Sequence, residues 1–364
     1  MHKLRLAAAT SVVLCGFAAS AQAQVPEGYP ADYQAVIDAA KKEGKVVVYS
    51  TTDAAAGNFL VKDFEALYGI KVEYNDLNST ELYNRFIAEA AAGQGTGDVT
   101  WSSAADLQIK LVNDGYARAY KSPEVSNIPS WANYKDTAYG VTYEPVSFVY
   151  NKRLVPAEDV PKSHADLLKL LQAKPDFYKG KITAYDPERS GVGFLFFTQD
   201  DLAWKQAWDL FKAFGKSEIK LYTSAGAMIE RTTSGEHLIG YGVFGSYALT
   251  RSKKDSNIGI VLPTDYTLIA SRVAFLSEKA KNPNAGKLFL DYLLSKRGQT
   301  IIANQAELYS LRADVEGEAT VAKVKAQVGD AIRPIPIDGE LASNLDTVKR
   351  LRFLKQWQGA MQGK

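Results

Sequence analysis

The chain has 364 residues, with Lys+Arg 43 against Asp+Glu 41, three histidines and a single cysteine. A length well beyond the ~100–150 residues of one typical core implies two lobes. The near-neutral balance, with no basic stripe and no charged tail, excludes nucleic acid as a partner, and one cysteine excludes an internal disulfide.

The opening "MHKLRLAAATSVVLCGFAASAQAQ" has Lys3 and Arg5 before an apolar stretch from Leu6 to Ala19, then Ala21-Gln22-Ala23. This is the layout of a signal peptide cleaved after Ala23, so residues 1–23 are expected to be removed and the rest exported. The apolar stretch is shorter than the ~20 residues a spanning helix needs. Cys15 lies in this leader, and Leu14 before it is not the small residue a lipid-anchoring site requires. The mature chain then has no cysteine. Taking Lys3 and Arg5 from the 43 basic residues leaves 41 against 41 acids.

After the leader, "DYQAVIDAAKKEG" predicts a helix stopped by Gly44, and "KVVVYS" (45–50) a buried strand. A helix in "NFLVKDFEALYG" follows, then a strand in "IKVEYND" and a helix in "STELYNRFIAEAAAG" with Ser79 as its N-cap. "DVTWSS" reads as a third strand and "AADLQIKLVNDG" as the next helix. Strands alternating with helices of this length predict an α/β lobe, a mostly parallel sheet flanked by helices. "AYGVTYEPVSFVYNKRL" (138–154) breaks the rhythm as a long extended run suited to crossing between lobes. The pattern resumes with helix "SHADLLKLLQ", strand "KITAYD", a helix over 193–214, strand "EIKLYTS", helix "AGAMIERTT" and strand "HLIGYGVF". A second extended run, "IGIVLPTDYTLIASRVAFLS" (258–277), predicts the return crossing. A long helix from "NAGKLFLDYLL" to "IIANQA" and a last one, "LDTVKRLRFLKQWQGAMQ", complete the chain, the latter with Leu351, Leu354 and Trp357 on one face. The expected organisation is one lobe from 24–140 plus 268–364 and a second lobe from 141–267, joined by two crossings.

Open parallel sheets bind ligands outside the carboxyl ends of their strands, which in a two-lobed body face one cleft. Those ends carry Ser50, Thr51, Thr52 and Asp53, then Ser102 and Ser103, in the first lobe. In the second they carry Arg189, Ser190, Gly191, Val192 and Gly193, then Thr223 and Ser224, then Tyr241, Gly245, Ser246 and Tyr247. Tyr143 and Tyr266 fall in the crossings, where the hinge borders the cleft. Ser, Thr and Gly at helix starts leave unpaired N–H groups that favour an anion, although such residues also cap helices for stability alone. Ser190 to Gly193 is the clearest candidate nest, because Gly191 and Gly193 permit φ > 0 and close backbone approach.

Enzyme chemistry has little support. The mature chain has only His164 and His237, with no H-E-x-x-H, phosphate-binding G-x-x-x-x-G-K-[ST], G-x-S-x-G or calcium-loop motif. Asp200-Asp201 reads as an exposed helix turn, and Trp204 with Trp208 as core. No catalytic residue, metal site or cofactor is expected.

The segments "GKVVVYS", "DVTWSSAADLQIKLVNDG", "YDPERSGVGF", "SGEHLIGYGVF" and "NPNAGKLFLDYLLSKRGQTIIANQAELYSLRADV" resemble the extracellular solute-binding proteins of ABC transporters, in the cluster of ferric-iron and organophosphate binders. The resemblance spans nearly the whole mature chain and weakens after about residue 315. It implies a two-lobed type II periplasmic-binding-protein fold, a monomeric receptor in the periplasm and delivery of the solute to a membrane permease. Ferric binders of this family carry two adjacent tyrosines after a segment like "SGEHLIGYGVF"; here Gly245-Ser246 stand there, flanked by single tyrosines at 241 and 247. The first loop keeps only Asp53. Fe(III) prefers anionic oxygen ligands, so a small anionic organic solute, a phosphate or phosphonate ester or a carboxylate, is the expected guest. Ferric iron with a synergistic anion is the alternative, and a secreted α/β hydrolase the alternative from another class.

Overall fold

Local sequence explains the start of each βα unit. Val46 and Val48 point into the first core from strand β1 (Lys45–Ser50), and Gly44 ends the preceding helix in the left-handed region at φ 74. Strands β2 (Lys71–Asp76) and β3 (Val99–Ser102) pair with β1 in parallel. The helix over Ser79–Ala91 is capped by Asn78, whose side chain accepts from Thr80 and Glu81 while Glu81 reaches back, so Ser79 is its first residue and not its cap. The structure is a computed structural model that describes residues 25–363; the predicted leader, its cleavage site and Cys15 lie outside them.

The first crossing supplies β4 (Asn133–Tyr134), β5 (Ala138–Gly140) and β6 (Glu144–Asn151). The second lobe adds β7 (Ile182–Tyr185), β8 (Lys220–Tyr222) and β9 (Ile239–Phe244), and the return run adds β10 (Ile258–Val261), β11 (Thr267–Ala270) and β12 (Val273–Leu276). With β13 (Ile332–Pro334) these form two sheets, ordered β2-β1-β3-β12-β5-β4 and β13-β11-β6-β9-β7-β8, with β10 also on β6. The chain passes between sheets at 140–144 and at 270–273, as the two extended runs predict. It passes a third time before β13, which pairs with β11 in the second sheet.

Beyond that point the sequence reading and the structure diverge. The C-terminal segment was expected with the first lobe, yet helix Thr347–Met361 packs on helix Ala207–Lys216 of the second. Trp357 and Ala360 are buried there, with the Trp357 ring 4.4 Å from Phe197, whereas Leu351 is exposed. The inward face is therefore one step round from the one expected. The helix foreseen over 193–214 is broken into Gly191–Ala203 and Ala207–Lys216. Trp204 and Trp208 pack at the edge of this core as half-buried side chains. The long helix after 283 breaks at Ser295, which caps the next segment, and ends in a π-turn over Ile302–Ala306. No helix among the described residues is long and apolar enough to cross a membrane.

One buried carboxyl gives a pH signature. Asp106 is 1% exposed in the first turn of helix Ala105–Asn113, and burial pushes its pKa up to about 7 despite the Leu107 N–H at 2.8 Å. The unfolded chain, titrating near 3.8, gives up this proton first, so stability is full at low pH and falls as pH rises between these two values. Burial pushes Asp291 to about 7 as well, with the same sign. Asp106→Asn is expected to flatten the decline of the urea midpoint over that window; an unchanged slope would remove Asp106 as its source.

Candidate functional site

Each crossing contains one charged side chain where it enters or leaves a lobe, and the two meet. Arg272, between β11 and β12, is 1% exposed and lies against Glu144, the first residue of β6, which is fully buried. Nε donates to Oε1 of Glu144 at 2.7 Å and Nη2 to Oε2 at 3.2 Å. Nη1 reaches the Thr51 carbonyl and the Thr52 hydroxyl of the first lobe, both at 3.2 Å. The guanidinium also covers the rings of Phe244 and Tyr247 of the second lobe, at 5.0 and 5.1 Å. Glu144 in turn accepts from Thr142 at 2.9 Å and from the Ser246 hydroxyl. The pair thus ties the first-lobe loop 50–53 to the second-lobe loop 244–247 at the apex of the cleft.

Several predicted residues converge there. Thr51 exchanges hydrogen bonds with Ser103 through its hydroxyl, at 3.0 Å to Oγ and 2.8 Å from the amide. The Asp53 amide donates to the Tyr247 hydroxyl across the lobes at 3.2 Å. Burial pushes that phenol up to about 12, although Arg272 works against it. Ser50 and Ser102 are spent within the first lobe, Ser50 on the Trp101 carbonyl and the Thr52 amide, Ser102 on the Ala104 amide. Ser224 caps its own helix by accepting from Ala227, and Thr223 beside it is half-buried.

The Ser190–Gly193 turn differs from expectation in mechanism. Neither glycine has positive φ. A Cβ at Gly193 would lie 2.8 Å from Tyr185 Cβ within the second lobe, and one at Gly191 would lie 2.6 Å from the Leu107 side-chain tip of the other lobe, a clash only while the lobes are together. The Gly193 amide donates to Ser190 and the Val192 amide to Ser79 Oγ across the cleft at 3.3 Å. Thr80 donates to the Arg189 carbonyl at 3.1 Å, while the Arg189 side chain is exposed. The turn therefore forms an interlobe contact.

Three predicted tyrosines lie elsewhere. Tyr241 and Tyr266 donate to Asp200 at 2.7 and 2.9 Å inside the second lobe, and His164 stacks on Tyr266 at 3.9 Å. Burial and the adjacent carboxylate push both phenols well above the ordinary range. Asp200 is buried, unlike exposed Asp201, because the helix turns it inward to receive these donors. Tyr143 packs in the first core beside Trp131.

On one side of the apex the lobes leave a cavity of about 480 Å³. Asp53, Ala55, Ala56, Phe59 and Glu307 face it from the first lobe, and Gly226, Ile229, Tyr247 and Arg251 are among those from the second. Helix Gly245–Lys254 has no side-chain cap, and it presents Tyr247, Thr250, Arg251, Lys253 and Lys254 to the cavity. Glu307, in the left-handed region at φ 55 after the π-turn, accepts from Thr250 at 2.7 Å and pairs with Lys253. Among the described residues, no group of three or more His, Cys, Asp or Glu side chains is placed to hold a metal ion. Sequence reasoning missed Glu144, Arg272 and Arg251. The signal for the first two was a charge set among apolar residues at the point where each extended run changes lobe, which must find a partner when buried.

Two α/β lobes meeting over a cavity at the carboxyl ends of their strands define the type II periplasmic-binding-protein class. A family model of the bacterial extracellular solute-binding proteins matches residues 60–327, and the chain belongs to that family. Its structure is similar to the substrate binding protein of an ABC transporter from Agrobacterium tumefaciens, at 38% identity and TM-score 0.83, covering 87% of this chain and 94% of that one. It shares its fold with AfuA from Actinobacillus pleuropneumoniae, solved with fructose-6-phosphate, at 21% identity and TM-score 0.71, covering 88% and 99%. The fold is also that of iron-bound HitA from Pseudomonas aeruginosa, at 18% identity and TM-score 0.65, covering 87% and 99%. The chain is a solute-binding component of an ABC importer.

Proposed function

We propose that the protein binds a small anionic organic solute, a phosphate or phosphonate ester or a carboxylate, between its lobes and holds it by hinge closure. The lobes divide near residues 140 and 268, with the terminal helix on the second. The observation that carries the anion is the basic side of helix Gly245–Lys254, whose Arg251, Lys253 and Lys254 line the cavity, with only Lys253 paired to a carboxylate among the described residues. Of the strand-end residues, Asp53 and Tyr247 line the cavity, with Gly226 near the start of the helix after Ser224.

Ferric iron fits less well. Tyr247 is the one phenol in the cavity wall, and burial raises its pKa to about 12, away from the phenolate that iron requires. Of the other three candidate phenols, Tyr241 and Tyr266 are bonded to Asp200 and Tyr143 packs in the first core. Closure on a bound guest needs only binding. Calorimetric titration of the mature protein with fructose 6-phosphate and simple carboxylates, beside optical titration with ferric citrate, is expected to give anion binding without a tyrosinate-to-iron band. Appearance of that band would favour the iron reading.

A further inference from the structure

We infer that the interlobe cavity selects an anion with one charged group and an apolar body of ring size, the charge held by Arg251 and the body lying on Phe59. This deepens the anionic reading above and rests on it. The first observation is Arg251. It lines the cavity, and its Nε is buried with no hydrogen-bond partner. Its neighbour Lys253 is already paired with Glu307. A buried donor without an acceptor is costly, and with no carboxylate paired to it among the described residues the half-buried guanidinium leaves an uncompensated charge beside the cavity that an anion there would balance.

The second observation is independent. Phe59 is 43% exposed although Leu60 and Phe64 of the same helix are fully buried, so the core does not need its ring. It faces the same cavity with Ala55, Ala56, Ile229 and Ala306, an apolar wall of the kind that buries a ligand's body. Asp53 and Glu230 also border the space. They restrict the guest to one anionic group, since a second would face a carboxylate.

The test is calorimetry on the full mature chain with phenyl phosphate, inorganic phosphate and fructose 6-phosphate, in wild type, Phe59→Ala and Arg251→Gln. Phenyl phosphate is expected to bind at least about tenfold tighter than inorganic phosphate in wild type, the increment of burying part of a ring. Phe59→Ala should erase that preference, and Arg251→Gln should weaken both phosphates together. Far-UV circular dichroism verifies that each variant is folded. Equal affinity for the two phosphates in wild type, or a preference untouched by Phe59→Ala, overturns the inference and leaves the anionic reading standing. A wild type that takes none of the three anions and takes ferric iron overturns the anionic reading beneath it.

Discussion

Arg272→Met is expected to lower the stability of the folded protein by about 3–5 kcal/mol, the cost of leaving a buried charge without its partner. Glu144 is fully buried, and it would keep only the hydroxyls of Thr142 and Ser246. The first lobe would also lose the contacts from Nη1 to Thr51 and Thr52. Chemical denaturation monitored by fluorescence reads the loss. Replacing both partners, Arg272→Met with Glu144→Met, is expected to recover much of it, because two apolar side chains leave no stranded charge. A loss below about 1 kcal/mol for Arg272→Met alone would put the pair in the solvated class, where ion pairs contribute little.

Gly191→Leu is expected to hold the lobes apart. The backbone there is not left-handed, so the second lobe tolerates a side chain. A Cβ, however, would meet Leu107 at 2.6 Å, Ser79 Oγ at 3.2 Å and Ala104 Cβ at 3.4 Å, all across the cleft. Only the closed arrangement carries the clash, so the population moves toward open. Small-angle scattering should show a larger radius of gyration than wild type, with melting behaviour little changed. Affinity for a bound guest should fall by about tenfold or more, since the competent state becomes a minor one. An unchanged radius would mean that these lobe surfaces can slide past the new side chain.

The βα rhythm was legible at the start because β1 is a short β-branched run and the first two helices end on a glycine, at Gly44 and Gly69. Both crossings were legible for the same reason, as extended runs that no helix period fits. The C-terminal segment was not. Its helix has apolar residues on more than one side, and only the groove offered by Phe197, Phe211 and Gly215 decides which are buried. Position at strand ends selects candidate loops, but it could not say which hydroxyls are spent on backbone groups of their own lobe, as Ser50, Ser102 and Ser224 are. Tyr241 and Tyr266 were misplaced because their partner, Asp200, comes from a helix turn that reads as exposed.

Native mass spectrometry of the protein purified without refolding tests the central claim most directly. A retained small organic anion, one per chain, released on unfolding, is the expected result. A retained iron atom whose loss abolishes a visible tyrosinate band would contradict it.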